Sequence, residues 1–284
     1  MPCPIIGRVS PDGRGLPELL GVRYVVPLRE GGSLPAVVET AEDGAYVVKF
    51  RGAGQGPKAL VAETLFACIA SALDLPVPSA AIVNLEAGFG RAEPNPEIQD
   101  ILRGSVGPNF GLAYLAGALT FDPVVDGGLL SREEAAAIVW LDAYLTNVDR
   151  TPRNPNLLVC RGKVWMIDHG AALFVHHRWS GWQQRIQSRF PQIGDHVLLP
   201  FAGDLEAADS RLRPRTHEHV IQAAIAALPD AWLDADPDVP DLRQAYATYL
   251  MERLHGPRDW LSEAVAAQQR GPRPLHVRAT HRVV

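Results

Sequence analysis

The chain has few cysteines, no long apolar run and no surplus of positive charge, and each shortage removes a class of function. Cys3, Cys68 and Cys160 form an odd set with no CxxC spacing, so the sequence is expected to fold in a reducing cytoplasm. No apolar segment is long enough to span a bilayer, and Met1-Pro2-Cys3-Pro4 has neither the basic start nor the apolar core of a signal peptide. A soluble protein with no membrane partner is expected. With 27 Lys and Arg against 32 Asp and Glu, there is no general field to attract nucleic acid, and no nucleic-acid partner is expected. Internal repeats, coiled-coil heptads and low-complexity tracts are also missing. At 284 residues, however, the chain is long enough to bury a substantial core without disulfides or structural metals.

Strand-like runs come first. Val22–Val26, Pro35–Glu39 and Ala45–Phe50 are rich in β-branched and aromatic residues and are separated by Gly31-Gly32-Ser33 and Glu42-Asp43-Gly44, the pattern of an antiparallel meander. A helix is predicted from Lys58 to Asp74, stopped by Leu75-Pro76-Val77-Pro78, and Ala80–Leu85 reads as one more strand. Residues 87–110 turn to Gly, Pro and Asn, which predicts a linker or surface excursion and places a boundary between an N-terminal unit, 1–86, and a mainly helical unit, 87–284. Within the latter, Ser131 and Glu134 form a capping-box pattern ahead of Ala135–Thr146. Leu157–Cys160 and Val164–Ile167 predict a hairpin, and helical stretches follow near 219–228, 242–254 and 260–269. The basic tail from Arg270 is read as a solvated terminus.

The residues that suggest chemistry flank the hairpin. Phosphoryl transfer needs a group that orients the attacking hydroxyl, hard oxygen ligands for a metal on the phosphates, and a cation on the phosphate chain. In Asn147-Val148-Asp149-Arg150-Thr151-Pro152-Arg153-Asn154 an aspartate precedes an asparagine by the interval of a kinase catalytic loop, and the hairpin then leads to Met166-Ile167-Asp168-His169-Gly170. Taken singly, Asp149, Asn154 and Asp168 are ordinary turn residues; it is their order and spacing that point to a metal-dependent centre. Lys49 closes the third strand as a phosphate-holding lysine would, and Glu63, on the following helix, is placed to pair with it. Gly31, Gly32 and Ser33 would let backbone amides approach phosphates, though the sequence alone favours a plain hairpin turn there. Gly52–Gly56 has neither P-loop nor GxGxxG spacing. His176-His177 and His217 with His219 have no HExxH or cysteine partners and are read as packing or solvated residues, and Trp179 with Trp182 as a packed aromatic cluster.

These stretches resemble the HipA-like kinase family, within the wider protein-kinase-like fold that also includes phosphoinositide kinases. The resemblance runs from Tyr24 to Phe174 and rests on Tyr46–Phe50, Lys58–Glu63, Leu73–Pro78, Asn147-Val148-Asp149 with Arg153-Asn154, and Ile167-Asp168. It implies an α+β, two-lobed protein-kinase-like fold, with a small antiparallel-sheet N-lobe and a mainly helical C-lobe. It also implies that Asp149 is the catalytic aspartate, that Asn154 and Asp168 hold Mg²⁺, and that Lys49 contacts the phosphates of ATP. Family members phosphorylate protein serine or threonine, so a protein substrate is the implied partner. Transfer to a small molecule, transfer of AMP instead of phosphate, and a non-catalytic pseudokinase scaffold stay open as alternatives.

Overall fold

Strand order in the first half follows from alternation, and sheet closure from residues that carry little strand signal. In the computed structural model, which describes residues 15–28, 34–42, 44–233 and 236–271, the predicted meander is β1 (Glu18–Pro27), β2 (Ala36–Thr40) and β3 (Ala45–Lys49), paired antiparallel in sequence. The predicted helix is α1 (Gly56–Ala72), and Ala80–Leu85 forms β4. The small antiparallel sheet expected from the sequence needs correcting. A fifth strand, β5 (Gly107–Ala113), inserts between β3 and β4, while β4 pairs parallel with β1, so the five strands close into a barrel.

Residues 87–110 are therefore not simply a surface excursion. They contain α2 (Pro96–Arg103), capped by the Asn95 side chain on the backbone N–H of Glu97, and lead directly into β5. The sequence of β5, Gly-Pro-Asn-Phe-Gly-Leu-Ala, is a poor strand former by composition. Its Gly111 is needed for packing: a Cβ there would lie 2.8 Å from a Val83 methyl and 3.3 Å from the Tyr46 Cβ. Close approach of neighbouring strands selects glycine here.

The remaining elements are mostly helical. A second sheet joins β6 (Leu119–Thr120), β7 (Leu157–Cys160) and β8 (Lys163–Met166). The β7–β8 connection is the two-residue turn Arg161-Gly162, both with positive φ (52° and 73°), the backbone twist that matches a two-residue hairpin. Short α3 (Pro123–Asp126) precedes α4 (Arg132–Tyr144), whose Ser131–Glu134 capping box forms as the sequence predicts. Then come α5 (Leu205–Leu212), α6 (Glu218–Ala226), α7 (Leu242–His255) and α8 (Asp259–Arg270).

Two helices hold the core together. Residues 59–70 of α1 are buried on every face, because α1 packs against β4 and β5 on one side and α6 on the other. Residues 135–144 of α4 are equally enclosed, with Trp140 and Tyr144 against Trp260 of α8 at ring separations of 5.7 Å. Trp179 and Trp182 form a T-shaped pair, with Tyr246 edge-on to Trp179, which is the packed cluster the sequence suggested. Cys68 lies inside this core, where burial pushes its thiol up to about 12 and keeps it unreactive. Among the described residues no helix is long and apolar enough to cross a membrane.

Candidate active site

Lys49 sits at the end of β3, where the barrel wall meets α1. Its ammonium donates to Glu63 Oε1 at 2.5 Å and also bonds Asp168 Oδ1, so two carboxylates from distant segments converge on one cation. Glu63, fully buried in α1, also accepts the His169 backbone N–H through Oε1 at 2.8 Å, while its Oε2 has no partner. Burial pulls the lysine down, but the Glu63 and Asp168 carboxylates outweigh it and hold Lys49 above the ordinary lysine range. It stays cationic. Burial drives Glu63 upward against the pull of Lys49.

Asp168 leaves β8 with φ +54°. A left-handed conformation is tolerated by aspartate better than by most residues, and it turns the chain sharply after the strand. His169 behind it is fully buried and stacked on Phe66 at 3.9 Å.

The loop between α4 and β7 carries Asp149. Its Oδ2 accepts from Asn154 Nδ2 at 2.8 Å and from Asn156 Nδ2 at 3.4 Å, and its backbone N–H donates to Asn147 Oδ1 at 3.3 Å. Beneath the loop lies Asp142, fully buried in α4, which accepts from Asn147 Nδ2 (2.7 Å), Arg150 Nε (2.6 Å) and His196 Nε2 (2.8 Å). Burial alone would raise Asp142, yet Arg150 and His196 hold it well below the usual carboxylate range. Burial lowers both His196 and His169, so both rings are neutral near pH 7.

Two cavities meet at Asp168. One, of about 730 Å³, is lined by Asp149, Asn154, Asn156, Thr120 and the turn before α1 (Gly54, Gln55). The other, about 600 Å³ and mainly apolar, is lined by Val47, Lys49, Leu112, Leu115 and Leu158. Asp168, Ile167 and Leu158 belong to both walls, so an apolar slot opens beside the chamber that Asp149 and Asn154 line. The donor set suits a hard cation. Asp168 offers a carboxylate whose side chain is 38% exposed, and Asn154, with its amide nitrogen engaged by Asp149, keeps its carbonyl oxygen as acceptor. Among the described residues no three His, Cys, Asp or Glu side chains cluster as a metal cage. A carboxylate plus an amide is what Mg²⁺ takes when phosphates and water fill its other positions.

The structure thus brings Lys49, Glu63 and Asp168 into contact, and Asp149 and Asn154 into contact on the wall of the chamber that Asp168 also lines. Gly31, Gly32 and Ser33 lie outside the described residues. Sequence reasoning missed Asp142, Asn156 and His196. Asp142 had a signal of its own, as the one charged residue between Ala135 and Tyr144, whereas His196, 54 positions away, had none.

A family model described as HipA-like kinase matches residues 23–260. A search of curated proteins finds no match. Among solved structures, a crystal structure of the Helicobacter pylori proinflammatory kinase CtkA resembles this chain with a TM-score of 0.54 and 13% identity, over 86% of this chain and 97% of that one. At that identity the likeness concerns the fold.

Proposed function

The chain belongs to the HipA-like kinase family, and from that premise we propose that it transfers the γ-phosphoryl group of Mg-ATP to a serine or threonine hydroxyl of a protein, the acceptor class the family resemblance implies. The observation that carries this reading is the shared wall: Asp168 lies between the chamber holding Asp149 and Asn154 and the slot beside Lys49. We read the barrel and the helical part as the two lobes, with the adenine in the apolar slot and the phosphates turned toward the chamber. The two buried free thiols, Cys68 and Cys160, fit a cytoplasmic setting.

Each residue then has a physical task. Lys49, kept charged by Glu63, lies along the phosphate chain. Asn154 and Asp168 hold Mg²⁺, which when bound supplies charge neutralisation on the phosphate oxygens. Because both amides engage Oδ2 of Asp149, Oδ1 is the oxygen left to meet the acceptor hydroxyl. As the hydroxyl oxygen bonds to the γ-phosphorus and the bond to the ADP oxygen breaks, the hydroxyl proton passes to Asp149 Oδ1. Catalysis is then mostly positioning and electrostatics.

The test uses purified protein with Mg²⁺ and ATP labelled separately at the α and γ positions, beside Asp149→Ala and Asp168→Ala. Expected is γ-label transfer with ADP release, reduced about 10²–10⁴-fold by Asp149→Ala with nucleotide affinity retained. Asp168→Ala should remove the Mg²⁺ dependence of nucleotide binding. Transfer of α-label would replace the kinase with an AMP transferase, and absence of any nucleotide binding would replace it with a scaffold.

A further inference from the structure

Arg150 lines neither cavity and is 1% exposed, yet it is bonded to both loops that carry the site. Its Nε donates to Asp142 Oδ2 at 2.6 Å, and one terminal nitrogen donates to the carbonyls of Asn156 (2.5 Å) and Ile167 (3.3 Å). The other lies 3.1 Å from His169 Nδ1. Ile167 and His169 are the residues on either side of Asp168, whose own φ is positive. Asn156 is an amide donor to Asp149. The backbone carbonyl of Arg150 further accepts from Val197 N–H at 3.0 Å, which fixes the guanidinium's starting point against the helical core.

One planar cation therefore spans three segments: the floor of α4, the loop holding Asp149 and the turn holding Asp168. A guanidinium can do this because its five donors point in fixed directions, while a lysine ammonium in the same place would satisfy Asp142 and leave the carbonyls unbridged. We infer that Arg150 is the positioning residue that sets the two loops in register, so that Asp149 and Asp168 reach their working geometry together. The inference rests on the kinase reading for its consequence in turnover, but not for the coupling of the loops.

The test is Arg150→Lys, which keeps a cation beside Asp142, with Arg150→Met as a second variant and a thermal melt to establish that each is folded. The first arm needs no nucleotide. Hydrogen–deuterium exchange of the full chain is expected to speed up in segments 147–156 and 167–170 together, while α8 and the barrel strands stay at wild-type rates. Unchanged exchange in either segment overturns the inference, and so does a uniform rise across the chain.

The second arm titrates Mg²⁺ against ATP turnover. In Arg150→Lys the Mg²⁺ concentration at half-maximal rate should rise and kcat should fall, each about 10- to 100-fold, as for other groups that orient a metal ligand. The KM for ATP at saturating Mg²⁺ should stay within about twofold, because Arg150 does not reach the apolar slot. A folded Arg150→Lys with wild-type Mg²⁺ requirement and kcat overturns the inference even if the wild type is an active kinase. A wild type without turnover overturns the kinase reading instead and leaves the exchange result to decide the coupling.

Discussion

Replacing Lys49 with methionine should make the protein's stability depend more steeply on pH, near neutrality, than the wild type's does. The variant keeps most of the aliphatic stem, one atom shorter, and removes the charge, so Glu63 loses the ammonium 2.5 Å away and keeps only the His169 N–H. Breaking a buried pair by removing one partner costs about 3–5 kcal/mol, but Glu63 has an escape, because its Oε2 is unpartnered and can take up a proton. Neutralising a glutamate of ordinary pKa near 4.3 at pH 7 costs about 3.7 kcal/mol, which sets the ceiling on Glu63's share of the loss at that pH. Burial already drives the Glu63 carboxyl upward in the wild type, and without Lys49 nothing cationic opposes it.

The sign follows from proton counting. With its folded pKa raised above the unfolded one, Glu63 binds more protons in the native state between the two values, so the variant loses stability as pH rises through that window and regains it as pH falls. The slope is at most about 1.4 kcal/mol per pH unit, so between pH 7 and pH 5.5 the deficit should shrink by up to about 2 kcal/mol. Urea melts at several pH values, wild type beside variant, measure it directly. Adding Glu63→Gln to Lys49→Met should flatten the profile. A deficit that is constant across that range would refute the picture of a buried carboxylate held by Lys49, whatever the variant does to activity.

Two further outcomes concern the helical part. Ser131→Ala removes the acceptor for the Glu134 N–H and should cost about 1 kcal/mol in a urea melt, with phosphoryl transfer per folded molecule unchanged, since Ser131 lines neither cavity. Arg253→Leu deserts four carbonyls, those of Ala143 and Tyr144 at the end of α4 and those of Ile186 and Ser188. Unsatisfied buried acceptors cost about 1–3 kcal/mol each, so the thermal midpoint should drop by well over 5 °C in a scanning melt, and a drop of a degree or two would show that those carbonyls find other donors.

The parts of the site readable in advance are those whose chemistry is written in spacing. Asp149 and Asn154 are five residues apart and meet across one turn, and a hairpin with a two-residue turn is bound to return Asp168 near its own start. Lys49 and Glu63 were suggested by strand-then-helix order, and their contact is seen directly. The buried support was harder to read. His196 reaches Asp142 from 54 residues away, and Arg150 was noticed only as a neighbour of Asp149, because a sequence gives no sign that an arginine will be enclosed.

Local structure was within the reach of the sequence by itself, since caps, turns and alternation are decided by residues within a few positions of one another. That is why the Ser131 box, the β7–β8 hairpin and the first three strands form where periodicity and turn residues place them. Only the tertiary structure decided that β5, poor in strand formers, would pair on both edges and close the barrel, and that α1 would be buried all round with Glu63 inside it. Those outcomes depend on partners far apart in the chain, and the same holds for Lys49 and Asp168, 119 residues apart. The free energy of burial belongs to the assembled pair of surfaces and cannot be assigned to either stretch of chain alone.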